Sequence, residues 1–170
     1  VDTVSYKNLQ PGKKYKLTGT LMDKETGEAV KDAEGKEITA ETSFKPETAD
    51  GTVNVTFTFD GSNLAGKTIV VFESLERNDT VYAVHTDIND EAQTIYIPEI
   101  GTTAKDAASG TQFSSAGQVT LVDTVSYSNL TPGTEYILKG VLMDQETGKS
   151  VKVGGQEVTA ETTFKPEEAT

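Results

Sequence analysis

Thr52-Val53-Asn54-Val55-Thr56-Phe57-Thr58-Phe59-Asp60 alternates polar and apolar residues in strict period two. Only an extended strand puts every second side chain on one face, so the stretch reads as a half-buried β-strand with Val53, Val55, Phe57 and Phe59 turned inward. Tyr15, Leu17, Gly19 and Leu21 keep the same period, and Tyr136, Leu138, Gly140 and Leu142 repeat its phase. Turn chemistry separates these runs at Leu9-Gln10-Pro11-Gly12, Lys24-Glu25-Thr26-Gly27, Asp32 to Gly35 and Asp60-Gly61. No stretch carries a 3.6-residue apolar face, and β-branched residues crowd the runs. The expected fold is all-β, an immunoglobulin-like sandwich.

Val1-Asp2-Thr3-Val4-Ser5-Tyr6 returns as Val122-Asp123-Thr124-Val125-Ser126-Tyr127, and residues 1–31 match residues 122–152 at 21 of 31 positions. A period of about 121 residues is the size of an independent domain rather than a solenoid repeat, which predicts tandem domains that each own a core. The boundary falls near Pro98-Glu99-Ile100-Gly101. Residues 1–98 read as one domain lacking its first strand, and residues 99–170 as the front half of the next, beginning with that strand. The back half of the unit, roughly residues 50–98, occurs once.

The net charge of -12, spread along the chain, argues against nucleic acid and against an anionic membrane surface as partners. No apolar run approaches the roughly 20 residues that span a bilayer. The chain has no cysteine, so disulfides, thiolate metal sites and a cysteine nucleophile are excluded. One histidine, no tryptophan and no Gly-rich phosphate loop leave little room for a small-molecule enzyme, and no cofactor is implied.

Four polar residues fall in the inward phase of otherwise apolar runs. Gln93 shares a face with Ile95 and Ile97, Glu73 with Ile69 and Val71, His85 with Val81 and Ala83, and Asp2 with Val4 and Tyr6. For Glu73 the alternation also permits the reverse assignment, with Val70 and Phe72 inward. Buried without partners, each such group costs about 1–3 kcal/mol, and more if charged, so these residues should satisfy one another.

Val70-Val71-Phe72-Glu73 resembles the signature of the VaFE repeat domains of Gram-positive cell-surface adhesins. The Asp-Thr-Val-Ser-Tyr run, the step of eight from His85 to Gln93, the segment Asn89-Asp90-Glu91-Ala92-Gln93-Thr94 and the opening Ile100-Gly101-Thr102-Thr103 are similar to the same domains. The resemblance implies a CnaB-like sandwich that makes an intramolecular ester between a threonine on its first strand and a glutamine on its last. It assigns Gln93 as acyl donor, with Glu73, His85 and Asp2 as its catalytic neighbours. In the second unit it assigns Thr102 as nucleophile and Asp123 as the acid matching Asp2, and Thr102 is preferred to Thr103 because the first of the paired threonines is reactive in such domains.

Threonine is a weak nucleophile at neutral pH, so the reaction needs a base, for which His85 is the chain's one candidate of near-neutral pKa. Of two neighbouring carboxyls in an apolar site, one should keep its proton and donate to the glutamine oxygen. The process turns over once and is not enzymatic catalysis in the usual sense. A Lys-Asn isopeptide bond using Lys105 or Lys16 is the competing crosslink. Asp87-Ile88-Asn89-Asp90-Glu91 resembles a calcium loop but lacks its glycine and later bidentate acid, and reads as a solvated turn.

The implied role is a stalk module of a cell-wall-anchored, extracellular adhesin, whose neighbours are tandem domains and whose full-length form meets a host surface ligand. Direct adhesion to a host protein or glycan is the alternative. Thr102 and Gln93 belong to different units, and the eight residues between them are few for the parallel return that related domains use. A head-to-tail association is therefore expected, in which residues 99–120 of one chain complete residues 1–98 of another, or in which residues 99–170 pair with residues 51–98. A proteolytic fragment of a longer tandem protein is the third reading.

Overall fold

The computed structural model describes all 170 residues, which divide into two compact units, Val1–Pro98 and Glu99–Thr170. The first holds β1 (Asp2–Tyr6), β2 (Tyr15–Asp23), β3 (Thr39–Phe44), β4 (Gly51–Val55), β5 (Thr68–Arg77), β6 (Thr80–His85) and β7 (Thr94–Tyr96). The second holds β8 (Glu99–Asp106), β9 (Leu121–Ser128), β10 (Tyr136–Val141), β11 (Lys152–Val153), β12 (Gln156–Glu157) and β13 (Thr159–Phe164). The chain is all-β, in tandem immunoglobulin-like units, and every pairing is antiparallel.

In the first unit one layer has the order β3-β2-β5-β6, with β7 on β5 beyond the end of β6, and the other layer is β1 with β4. Strand β2 alternates buried and half-buried residues along its whole length. Its inward residues Tyr15, Leu17 and Leu21 are 1–3% exposed and join two clusters. Leu21 packs with Val30, Ile38, Leu64, Ile69 and Val71, and Tyr15 and Leu17 pack with Leu9, Val55 and Leu75.

Phe57 touches both clusters. Room for it comes from Gly19, where a Cβ would lie 2.5 Å from the Phe57 ring. The glycine in an apolar strand phase is thus a seat for an aromatic ring.

The expected strand over residues 52–60 is shorter in the structure. β4 stops at Val55, where its ladder with β1 runs out at the Asp2–Val55 pair. Phe57 then packs inward from irregular chain, while Phe59 is 37% exposed. The phase of β6 also departs from simple alternation. A bulge opposite Leu75 and Glu76 inserts Tyr82 as an extra residue, so Ala83 opposes Leu75 but Val81 opposes Glu76. Tyr82 is thereby turned onto Tyr15, edge to face at 5.8 Å, and His85 shares a face with Ala83 but not with Val81.

In the second unit β8 pairs with β9 over eight residues, and β10 pairs with β13. Tyr127 and Tyr136 both pack on Phe164, as Tyr6 and Tyr15 pack on Phe44 in the first unit.

Candidate functional site

Glu73 sits at mid-strand on β5, opposite Gly19 on one side and His85 on the other. It is 3% exposed and in phase with Ile69, Val71 and Leu75, which resolves the two assignments that its alternation permits. A carboxyl there loses its hydration without a compensating positive partner. Burial raises its pKa from 4.5 to about 8, and the Asp2 carboxyl beside it and the more distant Asp90 charge push the same way. Glu73 therefore carries its proton at neutral pH.

The hydrogen-bond inventory agrees. Asp2 Oδ2 and both Glu73 oxygens are buried with no donor directed at them. Two ionised carboxylates side by side can only accept, so both would stay unsatisfied. One proton on Glu73 turns the pair into donor and acceptor.

His85 lies between two carboxyl groups. Its Nδ1 is 3.3 Å from Glu73 Oε2 and its Nε2 is 3.0 Å from Asp90 Oδ2, both close by distance although neither is aligned as a hydrogen bond. Asp90 is itself fixed, because the Ala92 N–H donates to its Oδ1 at 2.8 Å and caps the short 3-10 turn Glu91–Gln93. The Thr94 hydroxyl donates to the Asp90 carbonyl at 2.7 Å and holds the exit of the same turn. One residue thus meets the imidazole and anchors the turn that carries Gln93. Sequence reasoning passed over Asp90 as part of a solvated acidic turn. The signal was its spacing, an Asp three residues before Gln93 in N-cap position.

Gln93 ends that turn, and β7 begins one residue later at Thr94. The alternation that put Gln93 on one face with Ile95 and Ile97 is therefore corrected at its start: the Asp90 cap takes residues 91–93 into a turn before the chain can extend. Gln93 lines a groove of about 250 Å³ with Asp2, Phe57, Val71 and Ile95. A second groove of about 390 Å³ runs between β1 and β6, with Val4 and Tyr6 on one wall, Tyr82 and His85 on the other, and Glu73 between. Asp2, Glu73, His85 and Gln93 are thus gathered along the seam between β1 and the β5–β6–β7 edge.

Thr102 and Asp123 lie in the second unit. On the β8–β9 ladder Thr102 opposes Val125, Thr103 opposes Thr124 and Ala104 opposes Asp123. Cross-strand neighbours share a face, so Thr102 is on the face of Asp123, Val125 and Tyr127, and Thr103 is on the other. That face is the packed one, since Tyr127 meets Phe164 from it. Asp123 itself is exposed, and the second unit has no counterpart of Glu73, His85 or Gln93.

Of the lysines offered for a competing crosslink, Lys16 is on the outer face, ion-paired with Glu76 at 3.2 Å and Glu41 at 3.5 Å. Lys105 is exposed on β8.

A family model described as the T-Q ester bond containing domain matches the chain twice, over residues 1–97 and 98–170. No curated protein matches the chain. Among solved structures, the chain is similar to a bacterial adhesin from Mobiluncus mulieris containing intramolecular disulfide, isopeptide and ester bond cross-links. In its P1 crystals the identity is 16% over 94% of this chain and 82% of that one, with a TM-score of 0.38. In its P21 crystals the identity is 17% over 92% and 86%, with a TM-score of 0.39.

Proposed function

The chain belongs to the family of T-Q ester bond containing domains, and on that premise we propose that it is a stalk module of an extracellular bacterial surface adhesin, stiffened by an autocatalytic ester between a first-strand threonine and Gln93. The observation that carries this reading is the seam on which the groups meet: buried Glu73 beside Asp2, His85 between Glu73 and Asp90, and Gln93 at the end of the turn that Asp90 caps, in a groove it shares with Asp2.

In this reading Asp90 accepts from Nε2–H of His85, which leaves Nδ1 as the base, on the Glu73 side. The threonine hydroxyl gives its proton to the imidazole as its oxygen attacks Cδ of Gln93. The proton on Glu73 is the donor available to the oxyanion, in a site where little water competes for it. The tetrahedral intermediate expels the amide nitrogen, which takes the proton from the imidazolium and leaves as ammonia. The threonine and Gln93 are consumed, so the chemistry is one turnover per site.

The role follows from what the bond would do. It ties first strand to last in a domain without cysteine, as disulfides do in other exported domains. The repeated front half favours a spacer over a direct binding surface, because spacer units are copied freely.

The test is mass. A chain in which residues 99–121 are joined to residues 1–98 holds every strand of one unit. It should weigh roughly 17 Da less than its sequence, one ammonia, and Gln93→Ala or Thr102→Ala should restore the full mass. Hydroxylamine at high pH should cut the bond, which an isopeptide would survive. Full mass in the unsubstituted rearranged chain overturns the proposal.

A further inference from the structure

The turn Glu91–Gln93 is three residues long. A single helical turn fixes more backbone than its own hydrogen bonds repay, so it needs support from outside. The chain reaches it from His85, the last residue of β6, through residues 86–90, which belong to no strand. The bonds along this stretch are local: Asn89 N–H donates to Asp87 Oδ1 at 2.9 Å, Asp90 N–H to the Asp87 carbonyl at 3.1 Å, and Gln93 N–H to the Asp90 carbonyl at 3.2 Å. They give the turn its shape without fixing it against the sheet.

Glu91 supplies that tie. Its Oε1 accepts from Lys24 Nζ at 3.0 Å, and its Oε2 accepts from the Tyr96 hydroxyl at 3.0 Å. Lys24 directly follows β2, and its N–H donates to the Thr68 carbonyl at 2.9 Å. Thr68 in turn opposes Tyr96 on the β5–β7 ladder. Lys24, Thr68, Tyr96 and Glu91 therefore close a ring that joins the end of β2, β5, β7 and the turn. Lys24 is held from its other side as well. Asp23, 7% exposed, accepts from the N–H groups of Glu25 and Thr26 and from Lys67 Nζ, which fixes the bend in which Lys24 sits. Lys24 first and Tyr96 second hold the Glu91 carboxyl below the usual carboxylate range, so it is ionised and able to accept from both.

We propose that Glu91 is a positioning residue for the ester: by tying its turn to Lys24 and Tyr96 it sets where the Gln93 carbonyl carbon lies relative to Glu73 and His85. This rests on the ester reading above and adds to it a residue that does not touch the reacting atoms. Asp90 meets the imidazole at the near end of the turn, and Thr94 joins the β5 ladder opposite Val70 at the far end. Between them, Glu91 keeps the turn from swinging outward. A reacting group misplaced by about 1 Å can lose on the order of a hundredfold in rate. The side chain of Glu91 is 72% exposed, and ion pairs at such sites add little to folding stability. The tie should therefore show in the rate of bond formation and hardly at all in stability.

Two readouts test this. In the 170-residue chain, Glu91→Ala should speed amide exchange at Gln93 and Thr94 by about tenfold, while Leu17 and Val71 on the β2–β5 ladder exchange as in the parent. In the rearranged chain, the rate of ammonia loss should fall by about tenfold in Glu91→Ala and by less in Lys24→Ala and Tyr96→Phe, with an unchanged denaturant midpoint. Glu91→Ala with Lys24→Ala should be no slower than Glu91→Ala alone. In Glu91→Gln the amide can accept from Lys24 and donate to the Tyr96 oxygen, so both readouts should return to within about twofold of the parent. A rate that stays low in Glu91→Gln means that Glu91 acts through its charge, and overturns the positioning role. Unchanged exchange in Glu91→Ala overturns the tie whether or not the ester forms. Faster exchange with an unchanged rate overturns the role while the ester reading stands. If the rearranged parent keeps full mass, the ester reading falls and the role with it.

Discussion

Tyr15, Leu17 and Leu21 on β2 and Tyr136, Leu138 and Leu142, the first two on β10 and the last just past its end, are the same residues in the same order, yet they live in different surroundings. In the first unit they are 1–3% exposed. In the second, Tyr136 and Leu138 are only half-buried and Leu142 is 38% exposed. The difference is β5: β2 pairs with β3 on one edge and β5 on the other, whereas β10 has only β13. Features made by a few neighbouring residues are the same in both copies. Asn8 and Asn129 both adopt the left-handed conformation at φ 61° and 59°, and Tyr15 and Tyr136 each accept from a backbone N–H five residues earlier. Local structure is written in the repeat, and burial is supplied by residues far away in sequence.

The sharpest way to break that contrast is to make matched substitutions in the two copies within one chain, read by amide exchange on β2 and β10. Leu21→Ala removes a fully packed side chain and should cost about 2–5 kcal/mol in the first unit, whereas Leu142→Ala should cost less than about 1 kcal/mol in the second. Gly19→Ala drives a methyl group into the Phe57 ring and should cost about 1–3 kcal/mol. Gly140 has nothing within 4 Å of an added Cβ, so Gly140→Ala should be neutral or stabilise by about 0.5 kcal/mol through the unfolded chain. Equal losses in both copies would mean that Leu142 is packed as tightly as Leu21, against the 38% exposure of its side chain.

A smaller effect separates the units by pH. Glu73 holds its proton up to about pH 8 in the folded chain but releases it near 4.5 when exposed. Between those values the folded state binds the extra proton, so the stability it confers is complete below about pH 4.5 and is lost as pH rises through 8. At about 1.36 kcal/mol per unit the whole interval bounds the loss at roughly 5 kcal/mol, and water in the adjoining grooves brings the expected figure to the order of 2 kcal/mol. Denaturant midpoints of the first unit at pH 5 and pH 8 should show that loss, and Glu73→Gln should flatten it. The second unit has no such group and should not respond over this range.

The two kinds of structure also explain what could be read from the chain before its fold was known. Alternation in Tyr15–Leu21 and in Val53–Val55 marks true strands, because period two is a property of neighbouring residues. Asp2, Glu73, His85 and Gln93 fall along one seam, but the phase reading holds for Glu73 and not for His85 beside Val81 or for Gln93, which ends a turn, and the oxygens of Asp2 and Glu73 are not satisfied by their neighbours. Three features escaped because their causes are distant or geometric. Phe57 is inward without being in a strand, since the ladder beneath it ends. Tyr82 faces Tyr15 only because a bulge adds a residue to β6. Asp90 looks like a solvent-facing acid until its cap and its imidazole contact are seen together.

The smallest prediction concerns a turn where the copies should not differ at all. Gly12 and Gly133 follow Pro11 and Pro132, have φ of +73° and +72°, and have open space around an added Cβ. Each donates its N–H to the carbonyl of a later proline, Pro46 or Pro166, at 2.8 Å. The left-handed conformation costs an alanine roughly 1 kcal/mol through its own backbone, with no help or hindrance from neighbours. Gly12→Ala and Gly133→Ala should therefore each weaken their own unit by about 1 kcal/mol, by the same amount within error, although one turn caps a packed strand and the other a half-covered one. A loss confined to Gly12→Ala would show that the turn's conformation in the second copy is not set by its local sequence, and that burial reaches further into the repeat than its two φ angles suggest.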